Sequence, residues 1–252
     1  MFLRSWMVMR LPKPSVRPLL LSVLGTVVAL GSVAAAAGPN VRGRIKDQEK
    51  LVRDIYAEAA SPESHRWSWR EPSPSVQSQY RNLASNPSRE LCIAATSSSG
   101  GGSQDPVLMT VTGGRIVPTT IVVGPGRKLV FKNFDPFPHK IYIPGQKSFA
   151  AEVINPDAQR EWSAPGPGRY EFRDELFPSV KTFVVVDPQV VAIAYPGRDG
   201  SFGFTLPKGD YVLKAFFGGN LVGKPVAVIA SDRGTDLKEP MSVGDDAKGD
   251  SK

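Results

Sequence analysis

Few side chains in this sequence are suited to catalysis or to metal binding. The 252 residues include two histidines, His65 and His139, and one cysteine, Cys92. The sequence lacks Gly-x-Ser-x-Gly, His-Glu-x-x-His and P-loop motifs, which position a nucleophile, a metal or a phosphate. No spaced carboxylate pair stands out among the 24 acidic residues. We therefore predict that the protein is not an enzyme.

The single cysteine excludes an intramolecular disulfide bond. Cys92 lies in the apolar segment 91–95, and its neighbours show no basic cluster or metal ligand that would activate a thiolate. A small apolar residue in such a segment is typical of a packed strand. We predict that Cys92 is a buried strand residue and that core packing stabilises the protein.

The second histidine ends a distinctive segment, residues 128–139, with the sequence KLVFKNFDPFPH. This segment resembles the part of plastocyanin and related cupredoxins that carries the first copper-ligating histidine. Residues 116–118 (IVP), 120–123 (TIVV) and 165–172 (PGPGRYEF) are similar to other strands of that family. The resemblance covers about residues 106–187 and implies a Greek-key, cupredoxin-like β-sandwich there.

The same resemblance implies which residues stand at the copper-ligand positions. Cupredoxins bind copper through a histidine, a cysteine, a second histidine and usually a methionine, a set that suits both oxidation states. His139 matches the first ligand, but Asp174 stands at the cysteine position and Phe177 at that of the second histidine. Val180 or Lys181 stands at the methionine position. The resemblance therefore implies a protein that has lost the copper site and holds no cofactor.

Two interpretations of His139 remain open. In a metal-free sandwich it is a half-buried residue at the end of a loop, hydrogen-bonded through one ring nitrogen. In the alternative, His139 is a ligand of copper or, with Asp174 or Glu175, of a divalent ion. Asp174 and Glu175 are adjacent, so on a strand their side chains face opposite sides and only one of them could contribute.

The sequence is rich in glycine and proline, with 24 and 23 residues, which favours short strands joined by turns. Strand patterns occur at residues 108–111, 119–123, 128–132, 140–143, 170–173, 181–186, 190–195, 201–206, 211–217 and 225–230. Ten such segments without a helix among them predict an all-β protein built as one or two antiparallel β-sandwiches. Residues 199–215 also resemble a hairpin of the carboxypeptidase regulatory-like (prealbumin-like) sandwich domains, which are non-catalytic.

Residues 1–37 have the pattern of a signal peptide. Four positive charges precede an uncharged apolar run at 19–37, which ends in alanines before Gly38. We predict export to the periplasm or beyond, with cleavage close to Gly38; the alternative is an uncleaved membrane anchor. We expect no other membrane span.

The formal net charge of +7 does not indicate nucleic-acid binding. Four of the 31 basic residues precede the apolar run. The remainder form no basic cluster with interleaved aromatic residues. We therefore exclude nucleic acid as a partner.

The remaining segments complete the predicted organisation. We expect a helix at 38–60 beginning at Asn40, a linker or strap with one strand at 61–105, strands at 188–232 packed on the sandwich, and a disordered tail at 233–252. Trp67, Trp69 and Tyr80 are large apolar groups in a polar segment, so we predict that they contact a partner, another envelope protein. The sequence thus favours a binding or structural module of a cell-envelope assembly.

Overall fold

A computed structural model describes residues 39–51 and 87–244, which belong to one compact unit. They contain the seventeen strands β1 Val41–Lys46, β2 Leu91–Thr96, β3 Val107–Thr112, β4 Arg115–Val117, β5 Thr120–Val123, β6 Lys128–Asn133, β7 His139–Tyr142, β8 Glu152–Ile154, β9 Gln159–Ser163, β10 Gly168–Asp174, β11 Lys181–Val186, β12 Val190–Ala194, β13 Ser201–Phe204, β14 Gly209–Phe217, β15 Asn220–Ala230, β16 Thr235–Asp236 and β17 Met241–Ser242. The helical segments are α1 (Pro87–Glu90) and the 3-10 helices Gln48–Leu51 and Lys147–Phe149. The predicted all-β fold is confirmed, and each of the ten predicted strands overlaps an observed one.

Strands β3 to β11 form a first sandwich from a sheet of order β4-β3-β6-β9 and a sheet of order β5-β11-β10-β7-β8. Most neighbouring strands are antiparallel, whereas β3–β6 and β5–β11 are parallel pairs. In β6 the burial alternates, so that Leu129 and Phe131 face the core. Phe131 packs against Phe172 of β10 with ring centroids 4.8 Å apart. Burying each such side chain stabilises the fold by about 1.5–3 kcal/mol.

The other strands form a second sandwich. Its sheets have the orders β12-β2-β14-β15 and β13-β1-β16, with β17 also paired to β1. Its core includes Leu91, Ile93, Leu213 and Phe204. The strands of the segment 188–232 therefore enclose a core of their own together with β1, β2, β16 and β17.

Strand β2 connects the two sandwiches, because both of its faces are buried. Leu91 and Ile93 face the core of the second sandwich. Cys92 and Ala94 face the other way and pack with Val122 of β5 in the first sandwich. Burial on both faces explains the continuous apolar run in this strand. The prediction that Cys92 is a buried strand residue is confirmed.

The predicted helix at 38–60 is wrong over its described part. Residues Val41–Lys46 form β1, which pairs antiparallel with β13, and the helical segment is limited to Gln48–Leu51. Val41 and Ile45 are four residues apart, a spacing that places them together on a helix and equally on one face of a strand. The pairing of β1 with β13 brings Phe202 close to Gly43, where a Cβ atom would lie 2.6 Å from the ring. Residues 52–60 lie outside the described residues.

The predicted disorder at 233–252 is wrong as far as residue 244. Strands β16 and β17 both pair with β1 in parallel, and Met241 and Val243 are buried in the second core. Each strand is only two residues long, so the sequence carries no alternating pattern there. Residues 245–252 lie outside the described residues. Within the described ranges, the helices are too short and too polar to cross a membrane.

Candidate functional site

His139 is the first residue of β7 and is fully buried. Its Nδ1 lies 2.6 Å from Oδ2 of Asp174, the last residue of β10, and its Nε2 lies 3.1 Å from Oδ2 of Asp135. Asp135 and Asp174 are 6% and 3% exposed. We refer to these three residues as the His139 cluster. Both ring nitrogens therefore face carboxylate oxygens inside the protein.

Asp135 is held as an anion by the turn between β3 and β4. The N–H groups of Gly113 and Gly114 donate to its Oδ1 at 2.6 Å and its Oδ2 at 3.2 Å. Both glycines have positive φ values, 59° and 67°, as a two-residue hairpin turn of this kind requires. Burial raises the pKa of Asp135, but the hydrogen bonds from Gly113, Gly114 and His139 together hold that pKa below its usual 3.8.

Asp174 connects β7 with the loop at residues 175–180. Its Oδ1 accepts hydrogen bonds from the N–H groups of Leu176 at 2.7 Å and Phe177 at 3.2 Å, which close a turn at the start of this loop. The N–H of Lys140 in β7 lies 3.3 Å from the same oxygen. The carboxylate therefore fixes the loop relative to the strand that carries His139.

Asn133 positions the other loop of the site, residues 134–138. Its Nδ2 donates to the carbonyl of Phe137 at 2.8 Å, and its Oδ1 accepts from the N–H of Asp135 at 2.8 Å. The rings of Phe137 and Phe177 each lie 5.2 Å from that of His139 and 5.0 Å from one another. These two rings cover the His139 cluster, one from each loop.

The donors and acceptors of His139 and its two carboxylate partners limit the chemistry that this histidine can perform. An ionised carboxylate only accepts, so each contact of His139 is a hydrogen bond when that ring nitrogen carries a proton. The imidazolium form satisfies both contacts at once and places one positive charge between two negative ones. No lone pair of the ring then remains for a metal or for a substrate proton.

The structure corrects one prediction about His139, and it brings two of the residues named with it, Asp174 and Phe177, to its side. His139 is fully buried with two carboxylate partners, whereas the sequence predicts a half-buried residue with one hydrogen bond. Sequence reasoning missed Asp135, which lies four residues before His139 in a Pro-rich loop. Asp174 and Phe177 do lie beside His139. Glu175 faces outward, with a side chain 54% exposed near Lys140, so the two adjacent carboxylates face opposite sides as predicted.

As placed, the His139 cluster does not form a metal site. Metal–ligand bonds of about 2 Å on each side require donor atoms roughly 3 Å or more apart, and Nδ1 and the Asp174 oxygen are 2.6 Å apart. Nδ1 and Nε2 point in opposite directions from one ring, so Asp135 and Asp174 cannot share an ion with it. Across residues 39–51 and 87–244, no group of three or more His, Cys, Asp or Glu is arranged to hold a metal ion.

The two loops over the cluster expose an apolar surface that the sequence analysis did not identify. Phe134 is 47% exposed and Leu176 is 43% exposed. Phe137 and Phe177, both partly buried, join the two loops through their ring contact. We call these four residues the loop surface. In the sequence, this surface corresponds to the segments FDPFP and ELFPS, each of which combines one acidic residue with large apolar residues and proline. Trp67, Trp69 and Tyr80 lie outside the described residues and remain predictions.

Comparisons with known proteins give a distant structural likeness. No known family profile and no curated protein sequence matches the chain. A reduced amicyanin variant is 15% identical with a TM-score of 0.31, covering 37% of this chain and 99% of its own. Amicyanin from Paracoccus versutus is 16% identical with a TM-score of 0.31, covering 38% of this chain and 97% of its own. A copper-containing nitrite reductase from Thermus scotoductus is 18% identical with a TM-score of 0.29, covering 32% of this chain and 22% of its own. The likeness concerns about a third of the chain.

Proposed function

We propose that this chain is an exported, non-enzymatic β-sandwich protein that serves as a binding or structural module of a cell-envelope assembly. In this proposal its cupredoxin-like sandwich has lost the copper site. The single observation that supports the loss of the copper site is that both ring nitrogens of His139 contact carboxylates inside the protein. Export is supported by the signal-peptide pattern of residues 1–37.

The loop surface is the contact site that we propose for the partner. Aromatic and leucine side chains held at fixed positions lose little conformational entropy on binding, and aromatic residues are enriched at binding hot spots. The His139 cluster supplies this rigidity, because it connects the 134–138 loop, the 175–180 loop and the β3–β4 turn. The corresponding partner is an envelope protein with an apolar patch of its own.

Copper content tests the metal-free part of the proposal. The mature protein is purified without added metal, its metal content is measured, and copper is then titrated by absorbance and calorimetry. We expect no stoichiometric copper and no tight one-to-one binding. Tight binding in the wild type that is lost in His139→Ala would overturn the proposal in favour of a copper-binding or electron-transfer protein.

Substitutions on the loop surface test the binding part. In the double variant Phe134→Ser and Leu176→Ser we expect a cooperative melt close to that of the wild type, because both side chains are already largely exposed. We expect the amount of envelope protein crosslinked to it in cells to fall. Ile229→Ser is the matched control, since Ile229 is 65% exposed on β15 of the second sandwich. Equal crosslinking by both variants and the wild type would contradict the proposed contact site.

A further inference from the structure

Strand β9, residues Gln159–Ser163, forms one edge of its sheet in the first sandwich. The sheet has the order β4-β3-β6-β9, and within the described part of the chain β9 pairs with β6 alone. The pairing is antiparallel and runs along the whole of β9 without a register shift. One side of β9 therefore has no neighbouring strand among the described residues.

Hydrogen bonds at the two ends of β9 show which of its backbone groups face β6. Directly after the strand, the N–H of Ala164 donates to the carbonyl of Arg127 at 3.0 Å. Directly before it, the carbonyl of Ala158 accepts from the N–H of Asn133 at 3.0 Å. Because backbone groups alternate in direction along a strand, the even-numbered residues of β9 face β6 and the odd-numbered ones face away. Both ends of the strand give this assignment.

The outward-facing groups are the N–H and C=O of Gln159, Glu161 and Ser163. All three residues are exposed, and no other described residue forms a hydrogen bond with these backbone groups. Within β9 there is no proline, lysine or bulge, three features that commonly protect a sheet edge. The strand thus offers three donor–acceptor pairs to an added strand.

The inward-facing side chains hold β9 in place. Nη1 of Arg160 donates to the carbonyls of Ile141 at 2.7 Å and Ala150 at 2.9 Å. Trp162 is 7% exposed, and its ring packs against that of Phe172 with centroids 5.1 Å apart. An inward-facing charge can also protect an edge, but the guanidinium of Arg160 is already bound below the strand. A strand fixed in this way loses little conformational entropy when another segment pairs with it.

Glu161 sets the charge that a partner segment must match. It is the one charged side chain on the outer face of β9, between Gln159 and Ser163. Its Oε2 lies 2.7 Å from Nζ of Lys128, but these side chains are 47% and 44% exposed, so the pair contributes little. A carboxylate accepts through both of its oxygens, so Oε1 can take a second cation. A basic residue directly opposite Glu161 on an added strand is therefore favoured.

The charges of β9 disfavour a second copy of this chain as the partner. Two β9 strands paired antiparallel about Glu161 would place this carboxylate against its copy, and like charges directly opposite each other are destabilising. Pairing about Arg160 would likewise oppose two guanidinium groups. The free side of β9 therefore fits a segment of another protein.

We propose that the β9 edge, the outward backbone groups of Gln159, Glu161 and Ser163, binds an extended segment of a partner protein. The segment carries lysine or arginine opposite Glu161 and apolar residues on either side of it. Its main chain hydrogen-bonds the β9 edge, as in other strand additions. The apolar residues face inward beside Arg160 and Trp162, because side chains alternate along a strand. The β9 edge shares no residue with the loop surface, and the proposal does not depend on that surface.

The probe is the blocked peptide Ac-Thr-Val-Lys-Val-Thr-NH2, titrated into the 15N-labelled mature protein at low salt, with glutamate in place of lysine in the control peptide. We expect the lysine peptide to bind more tightly than the control peptide, and its affinity to fall as salt is added. In the free protein the amide hydrogens of Gln159, Glu161 and Ser163 should exchange rapidly, and those of Arg160 and Trp162 should be protected. The lysine peptide should slow exchange at the three outward amides.

Charge variants test the contact with Glu161. Glu161→Gln should weaken binding of the lysine peptide by about threefold, the size expected for an exposed ion pair. Glu161→Lys should reverse the preference between the two peptides. Glu175→Gln is the matched control and should leave the affinity unchanged. Glu175 is also an exposed carboxylate beside a lysine, 3.5 Å from Nζ of Lys140, but it lies in the 175–180 loop.

Substitutions at Ser163 separate the backbone contact from the side chain. Ser163→Pro should weaken binding by about fivefold because proline removes the outward N–H, whereas Ser163→Ala should bind as the wild type does. Proline is tolerated at a sheet edge where the missing N–H faces solvent, so this variant should melt cooperatively. If it does not fold, the charge variants and the exchange pattern still decide.

Three binding results would overturn the proposal: no binding of the lysine peptide up to about 10 mM, equal binding of both peptides, or equal losses in Glu161→Gln and Glu175→Gln. Slow exchange of the three outward amides in the free protein would also overturn it, and exchange that becomes fast on dilution would show pairing between copies of this chain. Phe134→Ser with Leu176→Ser should bind the lysine peptide as the wild type does, which keeps the two proposed sites distinguishable.

Discussion

Asp174 Oδ2 lies 2.6 Å from Nδ1 of His139, and neither side chain has any exposed surface. The two residues are 35 positions apart in the sequence, at the end of β10 and the start of β7. Their contact joins the ends of neighbouring strands in one sheet. Because Asp135 lies at the other ring nitrogen, His139 links both loops of the site through one buried side chain.

Replacing His139 by alanine should destabilise the protein strongly. The substitution removes the contacts that His139 makes with the buried oxygens of Asp135 and Asp174, and each buried polar group left without a partner costs about 1–3 kcal/mol. Urea unfolding of wild type and variant, compared by the free energy of unfolding, measures the loss. His139→Phe is the second variant to measure. Its ring fills the volume of the imidazole but offers no hydrogen bond to Asp135 or Asp174. A loss under about 1 kcal/mol in both variants is what one ordinary hydrogen bond contributes, and it would contradict the loss of two buried contacts.

Acid should destabilise the protein through Asp135. Its folded pKa is below the unfolded value of about 3.9, so its contribution is present above pH 4 and is lost as the pH falls through the folded pKa. The free energy of unfolding should therefore fall below about pH 4, and Asp135→Asn should flatten that decline. Asp199→Asn is the control: hydrogen bonds from Ser201 also lower the Asp199 pKa, but its side chain is exposed in the loop between β12 and β13. Equal flattening by both variants would argue against a special role of Asp135.

The strands that the sequence predicted correctly are those with a simple local pattern, either alternating or continuously apolar. β6 alternates between exposed and buried positions, and β2 is apolar throughout because it is buried on both faces. β1 was missed because Val41 and Ile45 fit a helix equally well, and its partner β13 lies some 160 residues away. β16 and β17 are two residues long, so pairing with β1 rather than their own pattern creates them.

The candidate site was predictable only in part, for a similar reason. The family resemblance placed Asp174 and Phe177 beside His139. Asp135 has no regular pattern, because it lies in a loop and is directed inward by N–H groups of a distant glycine turn. Its burial with a histidine depends on tertiary contacts that no local sequence rule describes.

Cys92 should be inert towards thiol reagents in the folded protein. Burial raises the pKa of its thiol to about 12, so almost no reactive thiolate exists at neutral pH. We expect negligible reaction with Ellman's reagent in the native state and one equivalent of reaction in denaturant. Rapid labelling without denaturant would indicate that the contact between the two sandwiches opens readily.

The mature protein should begin near Gly38 and be found outside the cytoplasm. The charge-flanked apolar run at 19–37 ends in small residues that favour cleavage. Intact mass and cell fractionation of the expressed chain give the answer. Leu21→Arg with Leu24→Arg, which interrupts the apolar run, should leave the full-length chain in the cytoplasm. A wild-type protein that starts at Met1 in the membrane fraction would instead establish the uncleaved anchor.

Two substitutions should create copper binding at His139 if the ligand positions implied by the cupredoxin resemblance are right. Asp174→Cys places a thiolate where the carboxylate now meets Nδ1, and Phe177→His replaces a ring 5.2 Å from His139 by a second imidazole. A thiolate with two imidazoles suits copper. Asp135 still engages Nε2 and fixes the ring, as a carboxylate beside a metal-bound histidine commonly does.

We expect the double variant to bind one copper per chain with a thiolate–copper absorption band, and each single variant to bind far more weakly because it lacks one of the two new ligands. Cys92 adds no background, since it is buried in β2. Cooperative melting of all three variants is checked first. If the folded double variant takes up copper no more tightly than the singles, residues 174 and 177 do not correspond to the cupredoxin ligand positions, and the implied loss of a copper site has no structural basis.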